Sequence, residues 1–152
     1  MEKNDWRGAC HAVSAICFVL LKEQGIKCEL RLGEVGIHNV VFNHSWIVID
    51  QKVFDLAIYK SLEPKFDQPP TIAGINVDTL LPTELNYGVN SSLKDDPPTA
   101  MIKTLSLSEY MSGFPNFPNG LFYLVDKFAQ KIDFKVNIQD LIQKYTYKPW
   151  TF

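Results

Sequence analysis

With 152 residues, 46% of them hydrophobic and 21% charged, the chain has the make-up of one ordinary globular domain, long enough to bury a core without staples. A net charge of −2 with no run of Lys or Arg gives no electrostatic case for nucleic acid or an anionic membrane as a partner. The apolar run over residues 16–21 falls far short of the roughly 20 residues that span a bilayer.

The first predicted element is a helix over residues 10–24, with Lys22 in its last turn and Gly25 as C-terminal cap. Its apolar residues (Val13, Ile16, Cys17, Val19, Leu20, Leu21) go nearly all the way round, which marks a helix buried on most sides. His11 and Ser14 are its polar exceptions. Residues 27–35 alternate in the manner of a half-buried strand, and His38 follows in a solvent-facing loop. Residues 45–50 and 52–57 read as a hairpin joined at Asp50-Gln51, with His44 opening its first strand. Both faces of that hairpin are apolar, so both need cover. The helix over 10–24 covers one face, and the C-terminal half is expected to cover the other.

Eight of the nine prolines fall between Pro64 and Pro118, so residues 61–120 are expected to be mostly loop, with short elements near 75–81. Ser106-Leu107-Ser108-Glu109 fits a capping box. Residues 121–131 have helical apolar spacing (Leu121, Leu124, Val125, Phe128, then Ile132), and Asn137 caps a last helix over 138–145. The expectation is a single α+β domain over 1–152. It divides into a helix–sheet core (1–60), a proline-rich region (61–120) and a helical cover (121–152).

Chemistry concentrates in three residues. Cys10 opens the long helix, where the helix N-terminus favours thiolate and the free N–H groups of the first turn suit an oxyanion. If the hairpin loop is the two residues Asp50-Gln51, His44 and Asp55 share one face as diagonal neighbours, and a one-residue change in loop length parts them. Asp55 stands in an apolar strand and needs a partner there. Against this stand plainer readings: Cys10 as a small buried hydrophobe, His44 as a strand-end histidine and Asp55 as the cap of a following turn. Cys17 and Cys28 read as core, and no Cys or His lies at zinc spacing from them. His11 is an understudy for the base, pointing about 100° round the helix from Cys10. Tyr110, Phe114, Phe117, Phe122 and Tyr123 read as core and cover, or as the lining of a substrate groove.

The segments Trp6-Arg7-Gly8-Ala9-Cys10, His44-Ser45-Trp46 and Val53-Phe54-Asp55 resemble the transglutaminase-like branch of the papain-like fold. In that branch a Cys begins the central helix, a His starts a strand and an Asp lies in the next strand. The pattern Gly8-x-Cys10, Ser14, Leu20-Leu21, Gly25-Ile26, Leu32-Gly33, Phe42-x-His44-x-Trp46 and Asp55 is most similar to the short transglutaminase-like leader peptidases of lasso-peptide pathways. Arg7-Gly8-Ala9-Cys10 also resembles, with one residue missing, the Arg-Gly-Gly-x-Cys of arylamine N-acetyltransferases. The resemblance covers residues 6–57. It implies a papain-like α+β fold with the Cys helix packed on a small antiparallel sheet, and a Cys10-His44-Asp55 triad acting on an amide or thioester.

The implied substrate is a peptide, a protein or a small acyl donor, with no cofactor and no metal; peptide hydrolysis, deamidation and acyl transfer all remain open. No Gln precedes Cys10, so the second oxyanion donor falls to Trp6 or Ser45, with Trp46 beside the substrate. The competing reading is a non-catalytic protein-binding module on the same fold. The odd cysteine count and an N-terminus without a signal-peptide pattern lead to the expectation of a cytoplasmic protein.

Overall fold

The structure, a computed structural model, describes residues 7–152. Helix α1 (Cys10–Glu23) is followed by strands β1 (Glu29–Ile37), β2 (Val40–Ile49) and β3 (Lys52–Phe54). After a 3-10 turn at Ala57–Lys60 come β4 (Thr71–Ile72), β5 (Ile75–Asn76) and β6 (Asn86–Val89). Helices α2 (Pro97–Ile102), α3 (Leu107–Ser112), α4 (Phe122–Lys131) and α5 (Ile138–Lys144) lead to β7 (Trp150–Thr151). The main sheet runs β3-β2-β1-β6 and is antiparallel, except that β7 pairs parallel with β1. The architecture is therefore α+β, an N-terminal helix against a curled sheet.

Helix α1 ends where its sequence says it should. Gly25 takes φ +77° beyond the last turn, and the Ile26 N–H returns to Leu21 O. The β2–β3 turn is the two residues Asp50 and Gln51, both at positive φ (48° and 62°), as a type I′ hairpin requires. That turn sets Ile47 opposite Phe54 and Val48 opposite Val53, which is the register that puts Asp55 on the face of His44 and Trp46.

Several expectations are corrected. Strand β2 starts at Val40 rather than Ser45, because the true first hairpin is β1–β2 and turns at His38-Asn39, with exposed His38 at φ 51°. His44 is thus mid-strand. Strand β3 stops at Phe54, and Asp55 forms an isolated bridge to Thr71. Pro97-Pro98 opens a helix instead of a loop: Asp96 Oδ1 accepts from Thr99 N, and the prolines occupy first-turn positions whose N–H groups would have no helical partner. The capping box at Ser106 and Glu109 and the Asn137 cap are both formed. On α4 the buried stripe is Phe122, Val125 and Ala129, while Phe128 and Ile132 are exposed.

The cover of the second sheet face also differs from expectation. One core joins α1 to the C-terminal helices through Ile16, Val19, Leu30, Ile47, Leu121 and Tyr145. The other face of the sheet, with Val35, Ile37 and Trp46, is closed by Ile58 from the 3-10 turn and by Leu85 and Tyr87 from the proline-rich region. The C-terminal helices are needed beside α1, whose apolar surface runs nearly all round. Among the described residues no helix is long and apolar enough to cross a membrane.

Candidate active site

Cys10 is the first residue of α1, preceded by Gly8 at φ +67° whose N–H donates to Lys60 O. Among the described residues no side chain caps this helix end, which leaves first-turn N–H groups to face a ligand. Arg7 Nη1 bonds Asp67 Oδ1 and Oδ2 at 2.9 Å and also reaches Ser61 O, which ties the approach to Cys10 to the 61–67 loop. His44 is fully within the fold, 3% exposed, and its Nε2 lies 2.7 Å from Asp55 Oδ2. That leaves Nδ1 for Cys10, with which His44 interacts through charge and a hydrogen bond. The three residues meet because β3 ends at Phe54, so that β2 has no β3 partner at His44.

Asp55 is held by four donors. Oδ1 accepts from the N–H groups of Ala57 and Ile58 at 3.0 and 3.1 Å, and Oδ2 from Tyr87 Oη at 2.8 Å as well as from His44. Both readings of Asp55, partner of His44 and cap of a turn, therefore hold together, one on each carboxylate oxygen. Tyr87 is the member that sequence reasoning missed. It enters on β6 opposite Val35, with its ring 5.2 Å from that of Trp46. The available signal was the Tyr87-Gly88-Val89 run among polar residues.

The electrostatics follow from this packing. Burial opposes ionisation of Cys10, but the charge of His44 and hydrogen bonds from His11 and His44 outweigh it and bring the thiol from 9.0 to about 6. Burial likewise disfavours the imidazolium of His44, yet Asp55 and the Cys10 thiolate raise it from 6.5 to about 10. Between those limits the pair is thiolate and imidazolium. Burial, then the Asp55 charge, raises the Tyr87 phenol, which therefore stays a donor. Burial and Asp55 push the Cys17 thiol up to about 11, and burial also raises Cys28; both pack, partly buried, on the core.

The remaining predicted residues are placed differently. Trp6 lies outside the described residues. Ser45 is fully buried, with its Oγ 2.6 Å from His11 Nδ1, and it lines neither of the two cavities at the start of α1. Trp46 is core: its ring lies where a Cβ on Gly33 would meet it at 3.3 Å. His11, about 100° round the helix from Cys10, places its Nδ1 on Ser45 Oγ, and a hydrogen bond from its ring is one of the causes that lower the Cys10 thiol.

Two cavities lie at the start of α1. One, of about 380 Å³, is lined by Cys10, His44, Phe42, Ile58, Leu62 and Phe66 among others. The other, of about 660 Å³, is walled by Tyr110, Phe114, Phe117, Pro98, Met101 and Pro115 among others. Three of the five singled-out aromatics are thus cavity lining, whereas Phe122 is fully buried core and Tyr123 stacks on Phe117. Among the described residues no group of three or more His, Cys, Asp and Glu could hold a metal ion. Comparison with protein-family models, with curated proteins and with solved structures finds no match to this chain.

Proposed function

We propose that the protein is a cysteine-nucleophile acyl-transfer enzyme of transglutaminase-like, papain-like type, acting on an amide or thioester. The observation that carries this reading is the buried His44–Asp55 pair set against a thiol at a helix N-terminus, at the wall of a cleft.

In the proposed reaction the Cys10 thiolate adds to a carbonyl carbon. An S–C bond forms and the C=O π pair moves to oxygen, where the first-turn N–H groups of α1 receive it. Collapse breaks the bond to the leaving group, which takes the proton from His44 Nδ1. Water or an amine then attacks the thioester and gives its proton to the same nitrogen, and Cys10 leaves as thiolate. Asp55 keeps the ring oriented and stabilises its charge throughout. The aromatic walls of the larger cavity suit an apolar group of a peptide or acyl donor.

The experiment is acyl trapping. The protein is mixed with p-nitrophenyl acetate and read by site-resolved mass spectrometry. An acetyl adduct is expected on Cys10, with none on Cys17 or Cys28 and none in Cys10→Ser. A Cys10 that stays unmodified contradicts the proposal and leaves the binding-module reading in its place.

A further inference from the structure

Ser45 is 0% exposed, and the side-chain partner of its hydroxyl is His11 Nδ1, at 2.6 Å. A buried hydroxyl needs an acceptor for its hydrogen. Among the described residues Nδ1 is that acceptor, which assigns the hydrogen of the neutral ring to Nε2. A protonated ring carries a hydrogen on Nε2 as well, so this atom is a donor in either charge state. The ring is also clamped. Ser14 Oγ donates to Ser45 O at 2.8 Å and fixes the strand behind it, and Trp150 packs edge-on to His11 at 6.3 Å between centroids. The two cavities have Gly8, His11 and Pro98 in common. Of these, only His11 brings a side-chain donor to the junction where Cys10 lies.

We infer that His11 is the second oxyanion donor of this site, held by Ser45 so that its Nε2–H meets the reacting carbonyl oxygen together with the N–H groups at the start of α1. This deepens the acyl-transfer reading above and rests on it. His44 is committed to proton transfer, so a separate donor is needed for the oxygen, and Ser45 is turned away to serve His11. His11 is among the groups that act on the Cys10 thiol, and in the tetrahedral adduct the oxygen sits one carbon from Sγ, so a donor beside the sulfur is also close to that oxygen. His11 would donate a hydrogen bond and transfer no proton. It would act only where negative charge builds on oxygen.

That restriction supplies the test. Acylation by p-nitrophenyl acetate passes through an oxyanion, whereas alkylation by iodoacetamide at a tetrahedral carbon does not. Both rates are measured on the intact protein as their plateaus above the thiol pKa, so that altered ionisation of Cys10 drops out. His11→Ala is expected to lower the acylation plateau roughly 10²–10³-fold and to leave the alkylation plateau within about threefold. His11→Gln, which can place an amide N–H near the Nε2 position, is expected to restore much of the acylation. Ser45→Ala is expected to lower acylation alone, by less. Equal loss of both rates in the His11 and Ser45 variants, or loss of neither, overturns the inference while the nucleophile stands. A wild-type Cys10 that alkylates but never acylates removes the acyl-transfer reading itself. Should His11→Ala fail to fold, the ratio of the two plateaus in Ser45→Ala and His11→Gln decides the matter.

Discussion

Tyr87 and His44 share one oxygen: the phenol of Tyr87 donates to Asp55 Oδ2 at 2.8 Å, and His44 Nε2 meets the same atom at 2.7 Å. The Asp55 carboxylate is therefore anchored from a strand that enters the sheet far along the chain. A hydrogen bond to a charged group contributes about 1.5–3 kcal/mol, and Tyr87→Phe should lose stability on that scale in urea unfolding. The thiol of Cys10 should still titrate near its wild-type value, because Asp55 keeps its charge. No loss of stability would show that the bond contributes nothing.

Asp55 itself supports two elements, and its variants should separate them. Asp55→Ala strands His44, Tyr87 and the N–H groups of Ala57 and Ile58, and should cost about 3–5 kcal/mol in denaturant unfolding. Asp55→Asn keeps the shape but loses the charge that raises His44. Acyl transfer should then fall on the order of 10²–10⁴-fold in single-turnover assays, with the fold intact by circular dichroism.

The pH profile follows from the two shifts. Cys10 is lowered to about 6, so thiolate is present above that value and lost below it. His44 is raised to about 10, so the acid needed by the leaving group is present below that value and lost above it. Acyl transfer should therefore trace a bell with limbs near 6 and 10. A single limb near the ordinary thiol value of 9.0 would mean that the pair does not form.

A stability prediction concerns the frame of the larger cavity. Gly120 has φ +61°, and a Cβ there would stand 2.0 Å from Met111 O and 2.8 Å from Ser112 Cα. Both obstacles are backbone, and Leu121 N already bonds Met111 O at 2.8 Å. Gly120→Ala should destabilise by more than about 2 kcal/mol. A thermal melt matching wild type would contradict this.

What the sequence made legible was local. The Asp50-Gln51 turn carries its own register, so alternation along β2 and β3 was enough to set Asp55 beside His44. The caps at Ser106 and Asn137 are likewise short-range signals. Tyr87 was not legible, because its bond to Asp55 depends on β6 docking beside β1 across 32 residues of separation. The contact of His11 with Ser45 was not legible either, because helical geometry alone compares directions on α1 and cannot see Ser45 approaching from β2. Phe128 and Ile132 fit a helical period but lie off the stripe that α4 buries, which only the neighbouring helix could decide.

The most direct test of the central claim is the rate of alkylation of each cysteine by iodoacetamide across pH 5 to 10, in wild type and in His44→Ala. Cys10 should react fast with a midpoint near 6, while Cys17 and Cys28 lag, in keeping with their raised thiols. In His44→Ala the Cys10 rate at neutral pH should fall on the order of a hundredfold, as the thiolate fraction returns toward that of an ordinary thiol. A Cys10 that titrates near 9.0 in wild type, or that keeps its rate without His44, would contradict the account.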